Sequence, residues 1–515
     1  MLKLQSCLRF GQYASGTSRR WHSTVLPDQK LKKSYPNKEN FRDLIERRQS
    51  EALRSVILEV NTIDVCGQVY NHCKQFGEIK NAFVYTLKDE RNIMLLEYKH
   101  LDAVSETFKF SGFKANAVQC PNRVLVVKNS KLNSSLSTNA PLLLDNAIAP
   151  PIAHILRNAA TFDEQVCLLY DNSRLTELSL RLRFLTALQA QVVINKYMNE
   201  SFPNAIVYPF GSSVNGFGKM GCDIDLALRF DTDIDRTDGN SDKPLEFCGK
   251  MIESEDDSNK LQGNQVKCMA SLIEYFVPGC ESVSAFSGAR VPIVRYFDTY
   301  IHSSVDLSVD NLAGFHITEY MYTMGLMDHR IRPFIFLVRQ WAKEFGLTNK
   351  RRYSITNFQL SYMCLSFLQQ LKEPLIPTFE DVKLQMNKNQ SENFTINKNN
   401  EFIFDFDRFK FETKNKSTVL ELFIQFLEYF GTFDFSKYMV TVKTIEKTPK
   451  PAADPLYLEN VFDSTNPWGL NVSQAEISTL QIMIQESLQE LEQCSLTPSD
   501  NHHNWGLLEI LSKLK

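Results

Sequence analysis

Two rhythms of apolar and polar positions run along this chain, and they change by region. Ser55-Val-Ile-Leu-Glu-Val, Ile79-Lys-Asn-Ala-Phe-Val-Tyr, Asn92-Ile-Met-Leu-Leu-Glu-Tyr and Arg123-Val-Leu-Val-Val-Lys are short apolar runs that predict strands. Val65 to Phe76, closed by Gly77, and Leu101 to Phe110 carry helical spacing, so residues from about 53 to 130 read β-α-β-β-α-β. Further on, Asp223-Ile-Asp-Leu-Ala-Leu alternates as a strand, and Arg290-Val-Pro-Ile-Val-Arg-Tyr-Phe with Ser304-Val-Asp-Leu-Ser-Val-Asp-Asn predicts two adjacent strands. The helical period takes over from Ile331 to about Lys372, and returns from Ser417 to Phe430 and from Ser473 to Cys494. Within it, Arg332 to Phe345 places Phe334, Leu337, Val338, Trp341 and Phe345 on one buried stripe.

The segments between these elements read as connections. Asn129 to Pro151 has the Ser, Asn, Leu and Pro content of a linker. Asp231 to Gly279 is polar and acidic, with Glu253-Ser-Glu-Asp-Asp-Ser, and predicts a solvated loop. Thr378 to Lys416 predicts loop with a short hairpin around Glu401-Phe-Ile-Phe-Asp-Phe. At 515 residues, two or three domains are expected. A hydrophobic content of 43% and a charged content of 23% are those of a globular protein. No apolar run approaches the length that spans a bilayer, so no membrane partner is expected.

Met1 to Pro27 differs from the rest. It holds Lys3, Arg9, Arg19 and Arg20, several serines, no acidic residue, and a stripe of Leu2, Leu4, Leu8 and Phe10. That composition predicts a mitochondrial transit peptide. Its removal would take the net charge from −3 to −7, so nucleic acid would have to be held by local basic patches. The eleven cysteines contain no C-x-x-C pair, and the nearest, Cys66 and Cys73, lack a histidine pair, which excludes a sulfur-ligated metal site and a disulfide framework.

The chemistry concentrates in Phe210-Gly-Ser-Ser-Val-Asn-Gly-Phe-Gly-Lys-Met-Gly-Cys-Asp-Ile-Asp. Strand alternation puts Asp223 and Asp225 on one face, where paired carboxylates repel unless divalent cations sit between them. The turn at Gly211-Ser212 offers backbone amides and a hydroxyl to phosphate oxygens. A third carboxylate completes two-metal phosphoryl chemistry; Asp306 and Asp310 share a strand face and both satisfy the geometry, with position early in the strand favouring Asp306. One cation, Mg2+ or Mn2+, would be held by all three aspartates and activate a ribose 3′-hydroxyl; the second, on Asp223 and Asp225, would steady the leaving pyrophosphate. Arg339 and Lys343 lie four apart on the Arg332 helix and are candidates for the triphosphate, with Lys350-Arg-Arg352 as a further basic cluster.

These residues resemble a known family. Gly211-Ser212, Asp223, Asp225 and Asp306 match the polymerase-β-type nucleotidyltransferase signature. Arg332-Pro-Phe-Ile-Phe-Leu-Val-Arg-Gln-Trp-Ala-Lys and Ile355-Thr-Asn-Phe-Gln-Leu resemble the noncanonical poly(A) and terminal uridylyl transferases. Leu420 to Gly431, Pro455-Leu-Tyr-Leu-Glu-Asn-Val-Phe-Asp and Asn471-Val resemble their poly(A)-polymerase-associated domain, so the likeness covers about residues 150 to 485. The β-α-β-β-α-β order in front resembles an RNA-recognition motif without its aromatic platform; Tyr98 alone is a weak one, and a packing or dimer face is the expected use.

The resemblance implies an α+β fold: a nucleotidyltransferase palm plus a mainly helical poly(A)-polymerase-associated domain, behind an RNA-recognition-like domain. The implied order is transit peptide 1–27, linker or helix 28–52, front domain 53–130, linker 131–150, helical segment 151–190 packing on the central domain, palm 191–320 with insertion loop 231–279, central and poly(A)-polymerase-associated domain 321–485 and tail 486–515. It further implies a mitochondrial enzyme that adds AMP from ATP to RNA 3′ ends, with dimerisation assisted by the front domain. Ser212 would touch the β- or γ-phosphate, Arg339 and Lys343 the triphosphate, Asn357 the nucleotide, and Phe358 would stack on the base. Uridylyl-specific relatives carry histidine where Leu470 precedes Asn471-Val472, which favours ATP. The segment Asp310-Asn311 departs from the two asparagines common in relatives, and Phe358 replaces a common tyrosine. The competing readings are a terminal uridylyltransferase and a non-catalytic RNA-binding scaffold.

Overall fold

A computed structural model describes residues 39–110, 122–127, 140–144, 161–199, 201–202, 204–230, 255–289, 291–309, 311–348, 354–387 and 411–496. The transit-like start, Asp310, Lys350-Arg-Arg352 and the hairpin expected at 401–406 lie outside the described residues.

The front region opens with helix α1 (Phe41–Leu53), capped by Asn40, whose side chain accepts from the Asp43 amide at 2.8 Å. Strands β1 (Ser55–Val60), β2 (Ile79–Thr86), β3 (Asn92–Tyr98), β4 (Val124–Val126) and β5 (Leu143–Leu144) form one sheet in the order β4-β1-β3-β2-β5. Val56, Leu58, Met94 and Leu96 face helices α2 (Cys66–Cys73) and α3 (Asp102–Phe110). Two features depart from an RNA-recognition motif. Strand β4 runs parallel to β1, whereas a helical crossover from β3 to its parallel neighbour would leave it antiparallel to β1. Tyr98 is no platform at all: it is fully buried on the helix side, where its hydroxyl accepts from Thr107 at 2.9 Å and donates to the Cys73 carbonyl at 3.4 Å.

The opposite sheet face carries Ile57, Phe83, Tyr85, Ile93 and Leu95, and it is covered from within the chain by Phe41 and Ile45 of α1 and by Leu178, Leu182 and Leu185. The Tyr85 hydroxyl donates to the Tyr300 carbonyl at 3.1 Å. The apolar face therefore packs within the chain, and the one hydroxyl among the face residues named, that of Tyr85, is satisfied there.

A second sheet has the order β6-β7-β10-β9-β8, formed by β6 (Ile206–Phe210), β7 (Ile224–Arg229), β8 (Cys280–Phe286), β9 (Ile293–Asp298) and β10 (Ser303–Val309). Only β7 and β10 pair in parallel. Its core joins Ile224, Leu226 and Leu228 to Ala187, Val193 and Ile194 and to Val266, Met269 and Ile273. The last three belong to a helix, Glu255–Phe276, in the stretch expected to be a loop. Val266, Met269, Ala270, Ile273 and Val277 recur at helical spacing, a signal outweighed at sequence level by the acidic composition just before it.

The remainder is helical: α4 (Phe162–Ser173) and α5 (Glu177–Tyr197), then α6 (Glu255–Phe276) of the palm, followed by α7 (Leu312–Met327), α8 (Ile331–Glu344), α9 (Asn357–Gln370), α10 (Phe379–Asn387), α11 (Val419–Gly431) and α12 (Gln474–Leu496). Helix α10 falls where a loop was expected; its Thr378 cap accepts from the Asp381 amide at 3.1 Å, and Phe379 and Val382 are buried. The stripe of α8 is buried at Phe334, Leu337, Val338 and Trp341, with Phe345 packed at its rim. Trp341 buries its ring and donates to Ser487 at 2.9 Å, so α12 closes over α8 without stranding the indole N–H. Capping boxes at Thr356/Gln359 and Thr418/Glu421 start α9 and α11.

Candidate active site

The site lies at the ends of β6, β7 and β10. Register places Asp225 beside Asp306 on its parallel neighbour and opposite Phe210 on β6, which leads into the Gly211–Ser213 turn. Gly211 has φ +62°, and a Cβ there would sit 2.9 Å from Asp225 Oδ2, so the turn approaches the carboxylate as only glycine can. Its amide donates to Thr318 Oγ1 at 2.8 Å. Ser212 is half-buried and its hydroxyl lies 3.4 Å from Cys222 Sγ.

Burial, then the charges of Asp306 and Asp223, push the Asp225 carboxyl from its ordinary value up to about 7. Asp223 is exposed at the strand mouth. Asp306 is engaged by Arg295 on β9, whose Nε and Nη2 both donate at 2.6 Å. Among the described residues no group of His, Cys, Asp or Glu is closed into a metal cage, and Asp306 is turned onto that guanidinium. The donor set nevertheless fits a hard cation: three carboxylates, one of them destabilised by the other two, are what Mg2+ or Mn2+ would relieve once Arg295 gives way.

Arg339 of α8 donates through Nη1 to the Phe217 carbonyl at 2.5 Å, and burial lowers its pKa. Lys343 is exposed one turn on. Lys219, in the loop between the Gly-Ser turn and β7, is lowered by burial and then by the charges of Lys343 and Arg339. Three cations thus crowd one place. Lys219 and Arg339 line a cleft with Tyr170, Phe217, Gln340 and Asn357. Asn357 is exposed at the first turn of α9, so the structure brings it to the cations. Phe358 is half-buried and sets its ring edge-on to Trp468 at 5.0 Å, against the helical core. Asn471 accepts from Gln359 at 2.7 Å and donates to the Ser354 carbonyl at 3.1 Å, which brings exposed Leu470 to the start of α9. Asn311 is a cap, accepting from the Gly314 amide at 3.1 Å.

Sequence reasoning missed Lys219, Arg183, Arg295 and Trp468. Lys219 could have been found, since it stands within the motif stretch itself. Arg183, on α5, donates to Ser213 Oγ at 2.9 Å, to the Asp223 carbonyl at 3.1 Å and to the Cys222 carbonyl at 2.7 Å, links that no local pattern announces.

In sequence and in fold the chain is similar to known proteins. Residues 162–325 match the family model described as the central palm domain of mitochondrial-like poly(A) RNA polymerase. The chain is 33% identical to the mitochondrial poly(A) RNA polymerase of Drosophila melanogaster, over 92% of this chain and 80% of that one. It is 29% identical to the Homo sapiens protein of the same name, over 92% and 81% of the two chains. A crystal structure of mtPAP in complex with ATPgammaS superposes with a TM-score of 0.77 at 27% identity, covering 92% of this chain and 99% of that one. The same protein has been crystallised with UTP, at a TM-score of 0.78, 26% identity and the same coverage.

Proposed function

This chain belongs to the mitochondrial poly(A) RNA polymerase family, and from that premise we propose how its own residues carry out the transfer of AMP from ATP to RNA 3′ ends in the mitochondrion. The observation that carries the reading is the register of Asp225 against Asp306 beside the Gly211 turn.

In this reading the triphosphate lies along the Gly211-Ser212 turn, with the Ser212 hydroxyl on a terminal phosphate and Lys219, Arg339 and Lys343 balancing its charge. Asn357 holds the nucleotide at the cleft, and Phe358, already edge-on to Trp468, offers a face to the base. The ribose 3′-oxygen forms a bond to the α-phosphorus as the bond to the β-phosphate oxygen breaks, and pyrophosphate leaves. Asp223, Asp225 and Asp306 would hold Mg2+ or Mn2+, which supplies activation of the hydroxyl and charge neutralisation when bound. The protein supplies alignment, and Asp225 must lose its proton before it serves.

Leu470, beside Asn471 at the start of α9, supports ATP over UTP, since no imidazole is present there to favour uracil. Homodimerisation through the front domain belongs to the same proposal. Its inner sheet face is consumed within the chain, so pairing would use the sheet edges or outer helices. The deciding experiment supplies each of the four nucleoside triphosphates singly to purified protein with an RNA primer and sizes the products. Extension with ATP well beyond that with UTP is expected, and Asp225→Ala should abolish it. UTP-driven extension equal to that with ATP would replace the base assignment, and an active Asp225→Ala would overturn the metal assignment.

A further inference from the structure

Helix α5 (Glu177–Tyr197) stands between the front sheet and the catalytic strands, touching α1 on one side and β6 on the other. Residues two apart on a helix point about 200° apart, so Arg181 and Arg183 leave it in opposite directions. Arg181 turns to the front domain. It donates to Glu97 at 2.6 Å and to Glu177 at 2.9 Å, and lies 3.2 Å from Glu51. Glu97, on β3, is 0% exposed and also receives Arg54 at 2.9 Å and Asn81 at 2.7 Å. A buried carboxylate with this many donors holds one arrangement, because any looser one leaves a charge unpaired. The Arg181 guanidinium also lies 5.4 Å from the centre of the Phe83 ring on the same sheet.

Arg183 turns to the palm. It is 2% exposed, and its fork ties Ser213, at the end of the nucleotide turn, to the carbonyls of Cys222 and Asp223, where the catalytic strand begins. That fork sets the spacing between the phosphate-binding turn and the metal-binding carboxylates.

We infer that the front domain is a positioning device for catalysis: Glu97, through Arg181 and the rigid turn of α5, fixes where Arg183 holds the Gly-Ser turn against Asp223 and Asp225. The inference rests on the adenylyl-transfer reading above. It also explains why a domain with the outline of an RNA reader buries its reading face: the face is docked on the helix it steers.

The test uses the full chain and a double-mutant cycle of Glu97→Gln and Arg183→Lys, the second keeping the charge while losing the fork. Glu97→Gln is expected to lower kcat about tenfold with KM for the primer within about twofold, as a misplacement far from the chemistry does. In the Arg183→Lys background, adding Glu97→Gln should change kcat by less than about twofold, because the link is already broken. Lys80→Ala, which removes an exposed partner of Glu97 at 3.3 Å, should leave kcat unchanged. Wild-type kcat in folded Glu97→Gln, or effects of the two substitutions that simply multiply, would overturn the inference. A loss confined to primer affinity would overturn it too and make the front domain an RNA contact. A purely structural role would lower the thermal midpoint equally in both backgrounds and leave the effects on kcat multiplicative. If Glu97→Gln does not fold, Arg181→Lys takes its place with the same readouts. Failure of the adenylyl-transfer reading is separate: the wild-type chain itself would then not extend the primer with ATP.

Discussion

Asp225 stands apart from its two neighbours because burial, with the charges of Asp306 and Asp223 beside it, raises its carboxyl. Its proton is held to about pH 7 in the absence of metal, above the ordinary 3.8. A carboxyl raised on folding contributes stability while protonated and loses it as pH climbs towards 7. A divalent cation competes with that proton, so the rise in melting temperature on adding Mg2+ or Mn2+ should grow from pH 6 to pH 8 and vanish in Asp225→Asn; differential scanning with and without chelator measures it. Lys219→Met should raise KM for ATP about tenfold, the worth of one charge-assisted phosphate contact, and steady-state kinetics will show whether kcat holds. Asp223 and Asp225 were legible from strand alternation alone. Their partner Arg295 was not, because its meeting with Asp306 depends on the register of two strands, which neither run of residues states.

At the scale of elements, what could be read was what local chemistry dictates. The α8 stripe and the α9 and α11 starts follow from spacing and caps. Asp163, far off in sequence, also accepts from the Val419 and Leu420 amides at 2.8 and 3.3 Å, so two side chains share the first turn of α11. Thr418→Ala should cost about 1 kcal/mol, visible as a lower denaturant midpoint, because the Glu421 amide loses the Thr418 hydroxyl that accepts from it at 3.1 Å. Helices α6 and α10 escaped because their charged first turns read as loop, while the apolar positions that decide them lie further along. The direction of β4 is not written in the local pattern at all, since hydrophobic spacing is the same for a strand run either way.

Across the whole molecule, the proposed nucleotide cleft gathers parts distant in sequence, the 217–219 loop, α8 and the start of α9, with the 468–471 segment packed against that start. Leu470→His is the change that tests this assembly, and it should move the ratio of UTP to ATP incorporation upward by about tenfold in the primer assay, the usual reach of one polar contact to a base. By itself the sequence determined the periodic elements, the glycine turn beside paired carboxylates and the class of chemistry, since each depends on residues a few positions apart. Only the tertiary structure decided which cations gather at the cleft, that Arg295 guards Asp306, and that the front sheet is sealed against α5 instead of facing RNA. Those outcomes follow from packing between separate elements of the chain, where burial and charge pairing are properties of the neighbours and not of the run of chain that carries them.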